Sequence, residues 1–251
     1  VRIAVPPRLH LDVSDTYVYT PPGYRQDSAR RYPVAYLIHG TPGESADWVS
    51  AGQIGSTMDI LIRAGLVPPM IVVAPDMNAP TTIDTECLNA ADPGGPQLST
   101  FLNTVVVGYI DAHYPTLADW RHRIIGGFSM GGYCALDQGL RTGEYAAIID
   151  LAGDTAAGSG GHALLPSTVD YLAATPSHYI PTMTLRHRVG VFLDEGGQDA
   201  FVGDQLDRVA AQLRDGGQQV VQRAEPGQYH SWTMARVGVA YGLRFASGQL
   251  G

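Results

Sequence analysis

Lysine is missing from all 251 positions; the 16 basic side chains are arginines throughout. That absence removes three chemistries, because no ammonium is available for a phosphate-binding P-loop, a pyridoxal phosphate Schiff base or a Ser–Lys dyad. Cysteine is nearly absent too. Cys87 and Cys134 are the whole complement, and neither stands in a C-x-x-C pair. Two thiols are too few for a metal site, and no His, Asp or Glu group has metal-ligand spacing, so neither metal nor other cofactor is expected. Charge is sparse, at 16% of residues, and the formal net charge is −8 with no basic cluster. This argues against nucleic acid and against electrostatic docking on an anionic membrane. No apolar run reaches membrane-spanning length. The chain opens on Val1 rather than Met, as a processed or truncated product of a longer, membrane-anchored precursor would.

What is present is a 45% apolar chain long enough for one large α/β unit. An alternating strand over 15–20 comes first. Near-continuous apolar runs follow at 33–40, 70–75, 122–128, 146–151 and 188–193, as buried parallel strands require, and 219–223 suits a last strand. Helical patterns fall between them, at 55–64, 98–113, 131–141, 201–214 and 231–243. The fourth carries Leu206, Val209, Ala210 and Leu213 on one face. The alternation predicts a single domain over 1–251, a mostly parallel sheet with helices on both faces. Residues 155–187 break the rhythm with Pro166, Pro176 and Pro181, and read as a surface excursion or a cap-like insertion. Gly158-Ser159-Gly160-Gly161 superficially matches a dinucleotide fingerprint. It does not open from a strand, so no dinucleotide is assigned to it.

The chemistry is concentrated in Gly127-Phe128-Ser129-Met130-Gly131. A β-rich run leads into this G-x-S-x-G and a small-residue helical run leads out, which is the setting of a nucleophile elbow. Glycines at 127 and 131 remove side chains that would collide with so sharp a turn. A serine hydroxyl is a weak nucleophile, and it needs a base held by a carboxylate. In the α/β-hydrolase arrangement the order along the chain is Ser, acid, His. His230, just after the last strand, suits the base, whereas His178 and His187 fall in the insertion and read as surface residues. Asp199 suits the acid, although it could equally cap the following helix. Asp194, Glu195 and Asp154 are its rivals. The oxyanion hole would take the N–H groups of Met130 and of Thr41, since Pro42 has none to give. His39 reads as packing beneath that loop. Trp48 and Trp232 read as core residues or as the lining of a substrate pocket.

Leu37-Ile38-His39-Gly40-Thr41, Asp84-Thr85-Glu86-Cys87, the elbow, and Gly227-Gln228-Tyr229-His230-Ser231-Trp232 together span most of the chain. On these motifs it resembles the putative esterase family of the α/β-hydrolases, which includes S-formylglutathione hydrolases, enterochelin esterases and mycolyltransferases. The resemblance implies Ser129 as acyl carrier, His230 as general base, Asp199 as its orienting acid, and Thr41 and Met130 as oxyanion donors. From composition alone the two cysteines fit either separate buried thiols or one disulfide. Their likeness to the pair in actinobacterial secreted or envelope members favours the disulfide, and with it an oxidising, extracytoplasmic location. The leading functional expectation is a serine esterase acting on a small-molecule or lipid ester through an acyl-enzyme. An acyltransferase, in which a sugar or lipid hydroxyl resolves that intermediate, is the second reading. A non-catalytic binding module on the same scaffold is the third.

Overall fold

The computed structural model describes residues 1–12, 15–26, 29–78 and 84–251. Seven strands form one sheet: β1 (Tyr17–Tyr19), β2 (Val34–Ile38), β3 (Ile71–Ala74), β4 (Arg123–Phe128), β5 (Ala147–Leu151), β6 (Gly190–Gly196) and β7 (Gln219–Glu225), in the order β1-β3-β2-β4-β5-β6-β7. β1 pairs antiparallel with β3 at one edge, and every other pairing is parallel. β2 to β5 are buried at every position, which is why their sequences read as continuous apolar runs instead of alternating. This is the α/β-hydrolase fold.

The longer helices are α1 (Ile54–Arg63), a continuous rod α2 over 98–113, α3 (Met130–Thr142), α4 (Gly158–Leu164), α5 (Thr168–Ala173), α6 (Gln205–Asp215) and α7 (Trp232–Ser247). The middle of α2, Phe101–Val106, is wound as a π-helix. There Asn103 donates from Nδ2 to Gln138 on α3 and accepts the Tyr145 hydroxyl, so a polar bridge ties α2 to its neighbours. α1 and α7 pack on each other over one face of the sheet, and α2 and α3 lie together over the other.

The fourth predicted helix begins late. Residues 201–204 are turns and α6 starts at Gln205, because the Asp199 carboxylate holds the N–H groups of Phe201 and Val202. The segment between β5 and β6 carries α4, α5 and a further short helix at Pro176–Tyr179. It lies along α3, where the Tyr133 hydroxyl donates to the Ala174 carbonyl and Tyr179 to the buried Asp137.

Cys87 and Cys134 are bonded, with Cα atoms 5.5 Å apart. The bond pins the loop that carries Asp84 and Glu86 onto the second turn of α3. Glu86 and Cys87 both have positive φ, a costly conformation for side chains other than glycine, and the crosslink fixes the loop just where the backbone is strained. The two positions are 47 residues apart, so closing that loop should stabilise the fold by about 4 kcal/mol through the unfolded chain's lost entropy. Replacing both cysteines by alanine should cost this amount in urea unfolding, and reductant should then have no further effect on the variant.

Candidate active site

The strands deliver their functional residues to one edge of the sheet, the carboxyl ends, where loops from several strands converge. Ser129 follows β4 directly and has φ 57° and ψ −120°, a strained backbone for serine. Its neighbours explain how the turn is tolerated. A methyl on Gly127 would strike the Gly131 carbonyl, and one on Gly131 would strike the carbonyls of Ile38 and His39. The turn is held where it lies by the Ser129 N–H donating to Leu151 of β5 and by its carbonyl accepting from Gly132 and Tyr133.

The Ser129 hydroxyl lies 2.9 Å from His230 Nε2, and His230 Nδ1 lies 2.8 Å from Asp199 Oδ2. Serine can donate only if Nε2 is unprotonated, so the same network places the ring proton on Nδ1, facing the carboxylate. Asp199 has a 1% exposed side chain, and its two oxygens divide their work. Oδ2 holds the imidazole, while Oδ1 accepts the Phe201 N–H at 2.9 Å and the Val202 N–H at 3.4 Å. The capping role and the orienting role therefore coexist in one carboxylate, and what it caps is a turn, not the helix.

The rival acids are occupied elsewhere or stop short. Asp194 is fully buried in β6, 3.7 Å from the Arg223 guanidinium, and a methyl on Gly238 of α7 would press against it. Burial, then the nearby Glu225 carboxylate, pushes Asp194 up to about 7. Glu195 is likewise pushed up to about 7 by burial and by Asp207 and Asp199. Asp154 follows β5 and feels the charge of His230, Asp84 and Asp199, yet makes no hydrogen bond to the imidazole.

The loop after β2 runs over the serine, because a methyl on Gly40 would come within 3.2 Å of the Ser129 Cβ. Thr41 stands next in that loop, and Met130 opens α3. The N–H groups of Thr41 and Met130 have no acceptor among the described residues. His39 is buried beneath the loop. Its Nε2 accepts the Met77 N–H at 3.0 Å and its Nδ1 meets the Gly40 carbonyl, so it supports the turn and cannot serve as the base. Of the other histidines, His178 is exposed and His187 stacks on Trp120. Trp48 is wholly buried against the edge of Trp232, and Trp232 packs in turn on Phe128, so both are packing residues.

Two features escaped sequence reading. Phe201, taken as the first residue of a helix, is instead a 64% exposed ring beside His230, with centroids 5.2 Å apart. Its separation from the apolar face of α6 was the available signal. The second is a group of carboxylates beside the serine loop: Asp84, Glu86 and Asp154. Burial, reinforced by Asp84, Asp154 and Asp137, pushes Glu86 up to about 9.

A family model described as "Putative esterase" matches residues 14–242. This chain belongs to that family. Among curated relatives, an endo-1,4-beta-xylanase/feruloyl esterase of Xylanibacter ruminicola is 34% identical over 118 residues, covering 46% of this chain and 16% of that protein. Esterase Rv1288 of Mycobacterium tuberculosis is 33% identical over 119 residues, covering 47% and 24%. The chain spans no more than a third of the length of the curated relatives it matches. Among solved structures, a ferulic acid esterase is 26% identical with a TM-score of 0.79, over 94% of this chain and 92% of that one. An S-formylglutathione hydrolase from Agrobacterium tumefaciens shares the fold at a TM-score of 0.82 and 16% identity, over 100% and 94%.

Two outcomes follow from this geometry. Asp199→Asn should preserve the fold but reduce turnover by about 10⁴-fold, because an amide stabilises the wrong imidazole tautomer; steady-state kinetics on an activated ester reads this directly. Glu86 binds its proton more tightly in the folded chain than in the unfolded one, where its usual value is 4.5. Its contribution to stability is therefore greatest at low pH and declines as pH climbs from 4.5 toward about 9. Glu86→Gln should flatten the melting temperature against pH, with the largest gain over wild type at the alkaline end.

Proposed function

We propose that this domain hydrolyses carboxylic esters through an acyl-enzyme, with Ser129 as nucleophile, His230 as general base and acid, and Asp199 as the group that orients His230. The observation that carries the reading is His230 standing between Ser129 and Asp199, at hydrogen-bond distance from each.

In the first half-reaction the Ser129 oxygen attacks the ester carbonyl as its proton passes to His230 Nε2. The carbonyl oxygen becomes an oxyanion, received by the N–H groups of Thr41 and Met130. Each such donor is worth about 3 kcal/mol of barrier. Collapse breaks the bond to the alcohol oxygen, which leaves with the proton from Nε2. In the second half a water molecule gives a proton to Nε2 and attacks the acyl carbonyl, and the acid departs as serine regains its hydrogen. Asp199 stays ionised throughout and stabilises the imidazolium.

We read residues 1–251 as one domain with 155–187 as its insertion, and its substrate as a small-molecule or lipid ester. The feruloyl and ferulic acid esterases among the relatives favour an aromatic acyl group. The disulfide favours an extracytoplasmic location, and no described helix is long and apolar enough to cross a membrane.

A fluorophosphonate should label one residue, Ser129, as located by peptide mapping. Ser129→Ala should abolish labelling and lower ester turnover by about a millionfold with the far-UV spectrum unchanged. Labelling at any other residue, or an alanine variant that keeps its activity, refutes the assignment.

A further inference from the structure

One short loop, residues 84–88, bears on both segments that would supply the oxyanion donors. Towards α3 it makes two contacts. Cys87 is bonded to Cys134, and Cys87 Sγ also lies 3.9 Å from Met130 Sδ. Met130 and Cys134 are four residues apart on α3, so their side chains leave the same face of the helix. All three residues are buried. In the other direction the Thr85 hydroxyl donates to the Met77 carbonyl at 3.4 Å, and the Met77 N–H donates to His39 Nε2 at 3.0 Å. His39 Nδ1 then donates to the Gly40 carbonyl at 2.8 Å. Gly40 precedes Thr41, and a methyl on it would come within 3.2 Å of the Ser129 Cβ. The loop therefore touches Met130 directly and reaches the Thr41 segment through a hydrogen-bonded relay.

The loop's own conformation is unfavourable. Glu86 and Cys87 both have positive φ, and Glu86 Oε2 is buried with no hydrogen-bond partner among the described residues. The Leu88 N–H donates to the Thr85 carbonyl and the Glu86 N–H to the Asp84 carboxyl, but both bonds lie inside the loop and fix only its shape. The covalent tie to α3 is the Cys87–Cys134 bond.

We propose that the Cys87–Cys134 bridge is a positioning element for the oxyanion hole as well as a stabiliser of the fold, so that the domain reaches full turnover only once the two thiols are oxidised. This rests on the acyl-enzyme reading above and adds a redox condition to it. An oxyanion donor acts only at short range from the developing charge, and a misplacement of about 1 Å costs about 10²-fold in rate. With the bridge open the triad stays assembled, because Ser129, His230 and Asp199 take none of their hydrogen bonds among the described residues from this loop. What slackens is the seat of Met130 and of the Thr41 segment.

The test measures kcat and KM on an activated ester, and affinity for an aryl trifluoromethyl ketone, whose adduct with serine places an oxyanion in the hole. Replacing Cys87 and Cys134 together by alanine should lower kcat and ketone affinity by about 100-fold, with KM within about twofold of wild type. Leu213→Ala, a buried change on α6, lowers stability by a similar amount and should leave kcat unchanged. Wild type refolded under excess dithiol should match the alanine pair. Glutathione disulfide should then restore its kcat, accepting the two electrons and two protons that the thiols release and leaving as two glutathione thiols. A bridgeless form that keeps the wild-type kcat overturns the proposal, as does an equal loss in Leu213→Ala or a loss carried by KM alone. If neither bridgeless form folds by far-UV spectrum, Met130→Ala decides, because it keeps the bridge and removes the side chain that the bridge touches. A loss of about tenfold in kcat and ketone affinity then supports the positioning role, and wild-type values overturn it. If the fluorophosphonate labels Ser129 while the bridgeless forms keep their kcat, the positioning role alone is wrong. If wild-type Ser129 does not react, the acyl-enzyme reading falls and the proposal falls with it.

Discussion

The turn at Ser129 is the constraint on which the site depends. A serine at φ 57° is strained, and the surrounding contacts leave the chain no easier path. Gly127 and Gly131 lie so close to backbone carbonyls that neither could carry a methyl without moving β2 or the start of α3. The strain sets the hydroxyl above the carboxyl edge of the sheet, where the loops after β2, β6 and β7 can reach it. Without this bend, His230 and Asp199 would be a hydrogen-bonded pair out of reach of the serine.

Around that bend the protein tolerates an unusual amount of buried acid. Asp150, fully buried on β5, accepts the Gly153 N–H at 2.8 Å and packs against Gly132, and burial pushes it up to about 7. That bond shapes the turn leading to Asp154. Asp194 and Glu195 are raised as well, and Glu86 further still. All these groups are favoured in their neutral forms by the fold. Asp199 has both oxygens engaged, one by the imidazole and one by two backbone N–H groups. Burial and engagement thus separate the members of a crowded set, and among the described residues only Asp199 is hydrogen-bonded to the imidazole.

Local signals made much of this legible before any coordinates. The elbow is a short-range motif whose glycines answer a steric demand within five residues, and β4 and α3 flank it as their patterns predicted. β2 to β5 were readable because burial on both faces leaves near-continuous apolar runs, whereas β1 showed itself by alternation. His230 followed from chain order alone. Less legible was anything set by competition between distant groups. Asp199 could be ranked above Asp194 and Glu195 only by position, since all three stand within one hexapeptide. The start of α6 was misplaced by four residues because a side chain engaged in the site also holds residues 201 and 202 out of the helix.

The sequence by itself determined the sheet and singled out Ser129 and His230 as candidate nucleophile and base, because periodicity, glycine placement and chain order are properties of neighbouring residues. Only the tertiary structure decided which carboxylate meets the imidazole, that Cys87 reaches Cys134, that Trp48 belongs to the core, and that Phe201 stands exposed beside His230. Those outcomes depend on where separate strands end in space and which way each side chain turns from them. No spacing along the chain encodes that information.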